Sequence, residues 1–318
     1  MAITAKQVKQ LRDMTGSGMM DCKKALTETN GDMDAAVEYL RKRGQAKAEK
    51  KASRIAAEGI CMIAADGNQK AAVVEVNSET DFVAQNDKFR TYVAKVANQA
   101  LNSDAADMDA FMAEAWAEDP SKTVKDALVD MIAVISEKLS IRRFEKVAAE
   151  NGMLATYVHG GGRIGVIIDA ETAVCNDAIA EALQNIAMQV AAMSPKYVSQ
   201  DEIPQSYRDH EKEILLAQAI EENNKLPENK RKAQNIIEKM LIGRLNKQFK
   251  EICLNDQVYV KAEDGKQSVQ KYVDEVAKAN NAKINIKGFV RFQTGEGMEK
   301  KEEDYAAEVA KQIAQAAK

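Results

Sequence analysis

Apolar positions along this chain follow two different rhythms, and the points where the rhythm changes mark its elements. From Ala71 to Val76 the residues are apolar and β-branched in an almost unbroken run, as in a buried strand. Asn86-Asp87 then reads as the N-cap of a helix whose Phe89, Val93, Val96, Ala97 and Ala100 recur at helical spacing. Between strand and helix, Asp81 and Phe82 stand side by side on a short connection, where a bulky ring has poor access to its own core. A loop that presents a large apolar side chain beside a carboxylate can press on a partner. A ring folded back as a lid over its own hairpin is the competing expectation for Phe82.

Residues 4 to 43 predict a compact helical unit. Thr4 with Gln7 makes a capping box, and Val8, Leu11 and Met14 follow at helical spacing. Gly16-Ser17-Gly18 interrupts the chain. Met19 to Thr29 predicts a second helix, Asn30-Gly31 a turn, and Asp32 the cap of a third helix through Ala36, Val37 and Leu40. Such a unit has a marginal core, and modules of this shape usually bind other proteins. Met19-Met20 reads by itself as core, although methionine also adapts well to partner surfaces.

The middle of the chain repeats itself. Glu58 through Asp87 matches Asn151 through Asp177: strand, glycine turn (Asp66-Gly67; Gly160-Gly161-Gly162), strand (Ala71 to Val76; Ile164 to Ile168), loop, capped helix. The two helices align at an offset of 90, Asn86-Asp87 with Asn176-Asp177 and Val96-Ala97 with Ile186-Ala187. Between the copies, Met108 to Glu137 is expected to be helical, running into a short strand at Ile141 to Phe144. Ser194-Pro195 ends a helix, and residues 206 to 251 read as a helical hairpin bent at Asn223 to Pro227. Strand signals resume at Gln257 to Val260, followed by a helix over Ser268 to Ala279, a strand over Ile284 to Phe292 and an amphipathic helix over Lys301 to Ala316.

The fold class is therefore α+β with a pseudo-symmetric core of two β-hairpin-plus-helix subdomains. The expected division is a helical module and basic linker over 1–55, one core subdomain over 56–150 and the other over 151–205 plus 252–292. An inserted arm spans 206–251 and a C-terminal helical module 293–318.

Composition narrows the function. The chain has 318 residues, 45% of them apolar and 30% charged, and a net charge of −4, so the whole molecule has no pull toward nucleic acid or an anionic membrane. No apolar run approaches the ~20 residues of a spanning helix, and the first residues lack the apolar core of a signal peptide. A cytoplasmic location is expected. Four scattered cysteines and two histidines lack metal-ligand spacing and read as reduced thiols without a metal. Arg41 to Arg54 is a local exception, with seven basic residues and one acidic. It has no interleaved aromatics for base stacking, and reads as a solvated linker or a helix facing an acidic surface.

Motifs for chemistry fail on context. Gly160-Gly161-Gly162-Arg163-Ile164-Gly165 has the dinucleotide spacing, but a strand rather than a helix follows it, so it is a hairpin turn. His159-Gly160-Gly161-Gly162 imitates an oxyanion loop without any G-x-S-x-G nucleophile, and no G-x-x-x-x-G-K-[ST] loop exists to cradle phosphates. No catalytic constellation, cofactor site or direct nucleotide binding is expected. A non-catalytic adaptor, with a recruiting helical module and a dimerising arm, is the alternative to any more specific reading.

Several segments together resemble the bacterial-type translation elongation factor Ts family. They are Leu11 to Leu26, Thr80-Asp81-Phe82-Val83, Tyr157-Val158-His159-Gly160 with Arg163-Ile164-Gly165-Val166, Ile186-Ala187-Met188 with Ala191-Ala192, Glu238-Lys239-Met240 with Gly243-Arg244, and Gly288 to Phe292. The resemblance runs in order over nearly the whole chain. It implies a UBA-like N-terminal module, a coiled-coil arm, and a guanine nucleotide exchange factor that releases GDP from the GTPase elongation factor Tu. It further implies that Thr80, Asp81, Phe82 and Val83 dislodge the partner's Mg2+, with Phe82 as a wedge between partner helices and Asp81 disturbing the metal. By the same resemblance Met19, Met20, Lys23 and Ile135 contact the partner, and His159 reaches its distal domain. A homodimer is left open. Departures from the family pattern are Ser78-Glu79 in place of the commoner Cys-Gln, Asn185 and Gln189 where many members carry histidine, and extra arm residues around Asn229 to Gln234.

Overall fold

A computed structural model describes residues 3–299; the helix expected over Lys301 to Ala316 lies outside the described residues. The chain opens with α1 (Ala5–Thr15), α2 (Met19–Glu28) and α3 (Met33–Lys51). Thr4 and Gln7 form the expected capping box, Gly16 ends α1 in the left-handed conformation at φ 65°, and Asp32 caps α3. Val8, Leu11, Cys22, Ala25, Leu26, Ala36 and Leu40 close the core of this unit. The basic run is no linker as far as Lys51: it forms the second half of α3. Its charges meet acids of the same chain, Arg43 and Lys47 at Asp21, Arg41 at Asp126 and Arg54 at Glu79.

The first repeat is the hairpin of β1 (Glu58–Asp66) and β2 (Lys70–Ser78), the single turn α4 (Asp81–Ala84) and the helix α5 (Asp87–Asn102), capped by Asn86. Next come α6 (Met108–Ala113), β3 (Ala115–Trp116), β4 (Asp119–Thr123), α7 (Val124–Ile135) and β5 (Leu139–Ala148), which pairs antiparallel with β2. The continuous helix expected over Met108 to Glu137 is thus broken by a small hairpin. Pro120 cannot continue a helix, buried Trp116 packs on Tyr92 with ring centroids 5.9 Å apart, and Thr123 with Asp126 starts α7 through a fresh capping box. α3 lies along α7, where Gly44 faces Ala133 and Val129.

The second repeat has β6 (Gly152–His159), β7 (Ile164–Glu171) and α8 (Asp177–Met193), then the antiparallel arm of α9 (Gln205–Asn224) and α10 (Gln234–Ile252), then α11 (Val269–Ala279) and β8 (Asn285–Gln293) on the free edge of β7. Gln257 to Val260 does not form the expected strand. The buried Gln189 amide takes a strand's place there, donating to Gln257 Oε1 and Val258 O and accepting from the Val260 N–H.

Each repeat therefore becomes a three-stranded antiparallel sheet, β1-β2-β5 and β6-β7-β8, backed by its own helix. Cys61, Ala71 and Val73 of one sheet meet Leu154, Ile167, Val290 and Phe292 of the other, giving the layer order helix, sheet, sheet, helix. A fully buried carboxylate ties the two sheets. Glu75 accepts from Arg142 (3.0 Å), Arg143 (2.6 Å), Asn77 (3.0 Å) and the Gly295 amide (2.8 Å). Burial pushes this carboxyl up, but the four donors outweigh it and hold it below the usual range.

Candidate functional site

The connection between β2 and α5 folds as one helical turn, and the turn sorts its side chains. Val83 and Ala84 point into the core of the first repeat, leaving Asp81 exposed and Phe82 83% exposed. The lid alternative fails: the ring covers nothing of its own hairpin. Thr80 is the N-cap, its hydroxyl oxygen accepting from the Val83 N–H at 3.4 Å, and the Ser78 hydroxyl donates to Thr80 O at 2.9 Å. The four-residue motif thus divides. Asp81 and Phe82 face outward, while Thr80 and Val83 fix the backbone that presents them.

Around this turn lies support that the residue pattern did not single out. Glu137, just past the end of α7, accepts from the N–H groups of Glu79 and Thr80, both at 3.1 Å, and from the Thr80 hydroxyl at 2.8 Å. Glu79 answers in the other direction, accepting from the Lys138 N–H and from Arg54 Nη1. On the opposite flank, Arg90 of α5 donates to Ala84 O at 3.2 Å and to Gly161 O at 2.9 Å, joining the base of the turn to the β6–β7 hairpin. These bonds span up to 71 residues, so no local period could have announced them.

The remaining expected contact residues distribute as follows. Met19 and Met20 are 48% and 76% exposed, which corrects the core reading; Cys22, Ala25 and Leu26 fill the core instead. Lys23 is exposed on the same helix. The Gly16 bend that precedes α2 abuts Val134, next to Ile135 at the end of α7. Ile135 itself is half-buried. The end of α7 is therefore shared ground: the helical module approaches it on one side and Glu137 leads from it to Thr80. His159 lies on the β6–β7 hairpin, exposed, with the Tyr157 hydroxyl 3.0 Å from Nδ1. The glycines beside it turn with φ of 58°, 68° and 114°, as a hairpin and not a phosphate loop requires.

An apolar ring and a carboxylate side by side on a turn anchored from behind can press on a partner and compete for its cations. Among the described residues no group of three or more His, Cys, Asp or Glu is placed to hold a metal ion, and no helix is long and apolar enough to cross a membrane.

Residues 79–296 match the sequence model of a family described as Elongation factor TS. Proteins named Elongation factor Ts are similar over almost their full length. Those of Clostridioides difficile (48% identical), Trichlorobacter lovleyi (47%) and Clostridium tetani (46%) are each covered to 98–99%, with 98% of this chain matched in every case.

Proposed function

The chain belongs to the elongation factor Ts family and is a translation elongation factor, and from that premise we propose that it is the guanine nucleotide exchange factor of elongation factor Tu. In this reading it binds the GDP-loaded GTPase in the cytoplasm, loosens Mg2+ and GDP, and leaves the empty site for GTP. The observation that carries the proposal is Phe82, 83% exposed on a capped turn whose other face is anchored in the core.

The physics asks for no reaction by this chain. An exchange factor must bind the empty GTPase better than the loaded one, and linkage makes the effect reciprocal: it weakens GDP by the ratio by which GDP weakens it. Phe82 enters between partner helices and gains burial there. Asp81 beside it competes for the Mg2+ shell, the largest local charge at the phosphates. Met19, Met20, Lys23 and Ile135 grip the nucleotide-binding domain and His159 a distal one. Residues 1–55 then act as a recruiting module, and the two core subdomains share the grip. Ile220, Ile236 and Ile242 stand exposed on the arm and fit a separate protein contact, a homodimer being the version that sedimentation would show.

The test is release of fluorescent GDP from elongation factor Tu, with and without this chain, in excess unlabelled GDP. Acceleration at substoichiometric chain supports the proposal. Stable binding of the GTPase with unchanged release would leave the adaptor reading in its place.

A further inference from the structure

We infer that Glu137 is a positioning residue for the exchange tip, locking the Thr80–Ala84 turn in its outward form through a reciprocal clasp with Glu79. The inference rests on the exchange reading above for its functional half, and on geometry alone for its structural half.

One carboxylate of Glu137 collects three donors from two successive residues: the Glu79 N–H, the Thr80 N–H and the Thr80 hydroxyl. Because the Thr80 proton goes to Glu137, the lone pair of Thr80 Oγ1 is directed at the Val83 N–H, the bond that starts the turn. The clasp is two-sided. Glu79 accepts from the Lys138 amide and from Arg54, and Lys138 Nζ donates to Arg54 O at 2.7 Å, so the segment that follows α3 is tied into the same knot. Two glutamates thus bond the backbone of each other's loop across 57 to 59 residues of sequence.

The clasp matters because α4 has only four residues. A single helical turn cannot hold itself, since nucleation fixes several dihedrals for one hydrogen bond. If only a fraction of molecules has the turn formed, apparent affinity for a partner that needs it falls by that fraction. Hydrogen bonds to charged groups are the strong ones, and Glu137 alone accepts from both the backbone and the hydroxyl of the N-cap residue Thr80.

The structural half is tested in the full-length free chain by amide hydrogen exchange. Glu137→Ala is expected to speed exchange at the amides of residues 79, 80 and 83 about tenfold or more, with the α5 and α8 amides unchanged. Unaltered protection at 79, 80 and 83 would overturn the inference whatever the chain does to GDP.

The functional half is a double-mutant cycle read as kcat/KM for GDP release from elongation factor Tu. Glu137→Ala is expected to lower it about tenfold, equivalent to ~1.4 kcal/mol, and Glu137→Gln, which keeps one acceptor oxygen, to recover part of the loss. In a Phe82→Ala background the Glu137 change should add nothing, because its effect travels through the ring. Full additivity in that background, or an unchanged kcat/KM for the single variant, overturns the positioning role. A wild-type chain that leaves GDP release untouched defeats the exchange reading instead, and the protection result still decides the clasp. Should Glu137→Ala fail to fold, Glu137→Gln carries both measurements, with smaller shifts of the same sign expected and no shift overturning the inference.

Discussion

Phe82→Ala should separate stability from exchange more cleanly than any other change in this chain. In the free protein the ring is 83% exposed and absent from the buried clusters, so its removal should move stability by no more than about 0.5 kcal/mol. In the proposed complex the same ring would go from water into a partner. Full burial of a Phe side chain contributes about 1.5–3 kcal/mol, and scaling by the exposed fraction leaves roughly 1.2–2.5. At ~1.4 kcal/mol per tenfold, kcat/KM for GDP release should fall between about sevenfold and sixtyfold. Stopped-flow release of fluorescent GDP across a range of chain concentrations gives the number, and thermal unfolding of both proteins gives the control. Phe82→Leu keeps much of the apolar bulk and should fall between the two. An unchanged kcat/KM for Phe82→Ala at equal melting temperature would refute the wedge. A large drop in melting temperature would refute the view that the ring stands outside its own core.

Other consequences can be checked with the same tools. Asp81→Asn should slow exchange more at millimolar than at micromolar free Mg2+ if the carboxylate competes for the partner's metal shell; equal loss across a magnesium titration would count against that. Gly44→Ala should stabilise the chain by about 0.5–1 kcal/mol in urea unfolding, through reduced backbone entropy of the unfolded state, because an added Cβ would meet Ala133 at 3.5 Å and Val129 at 3.7 Å, ordinary contact distances. Gly44→Leu should reverse the sign by overpacking α3 against α7. Glu75→Gln should cost about 3 kcal/mol at neutral pH by leaving two guanidiniums without their buried anion. The folded Glu75 carboxyl lies below its unfolded value of about 4.3, so its contribution is complete above that pH and is lost as the pH falls through the folded pKa. The stability gap between wild type and Glu75→Gln should therefore narrow below about pH 4.3, and a gap that stays constant on acidification would show that Glu75 is not the ionised hub.

Whatever is encoded within a few residues could be read from the sequence. The caps at Thr4, Asp32, Asn86 and Asn176 are all made by the side chains expected to make them, because a cap is a bond between near neighbours. The repeat offset of 90 reappears as two equivalent sheet-and-helix units. What failed was set by partners far away. Apolar spacing on both sides of Trp116 imitates one helix, and Pro120 was the available warning. Gln257 to Val260 carries strand composition but finds a glutamine side chain where a neighbouring strand would be. Met19 falls three residues before Cys22 on the core stripe, yet α1 has already turned away at Gly16 and leaves it uncovered. In the site itself, Phe82 and Asp81 were legible as an outward pair, whereas Glu137 and Arg90, which aim them, were not.

That difference bears on how an exchange tip can work at all. Ordering a flexible segment costs about 1–2 kcal/mol per residue in backbone entropy, or roughly 4–8 kcal/mol for the four residues of α4. Burying one phenylalanine returns only about 1.5–3 kcal/mol. A tip that had to fold on arrival would spend more than its ring contributes, and the factor would bind loaded and empty GTPase with little distinction. The tip therefore depends on being formed before the encounter, with Val83 and Ala84 anchored behind it, Glu137 and Glu79 clasped on one flank and Arg90 on the other. In that mechanism, pre-organisation of this kind would leave the burial of Phe82 wholly available for the contact with the partner. It also explains why a fold of two matched sheets is useful here: the turn springs from β2, the central strand of its sheet, paired on both sides and tied by Glu75 to the second sheet. In the exchange mechanism proposed above, a base held this way resists being pushed back, and the deformation would fall on the nucleotide site of the partner.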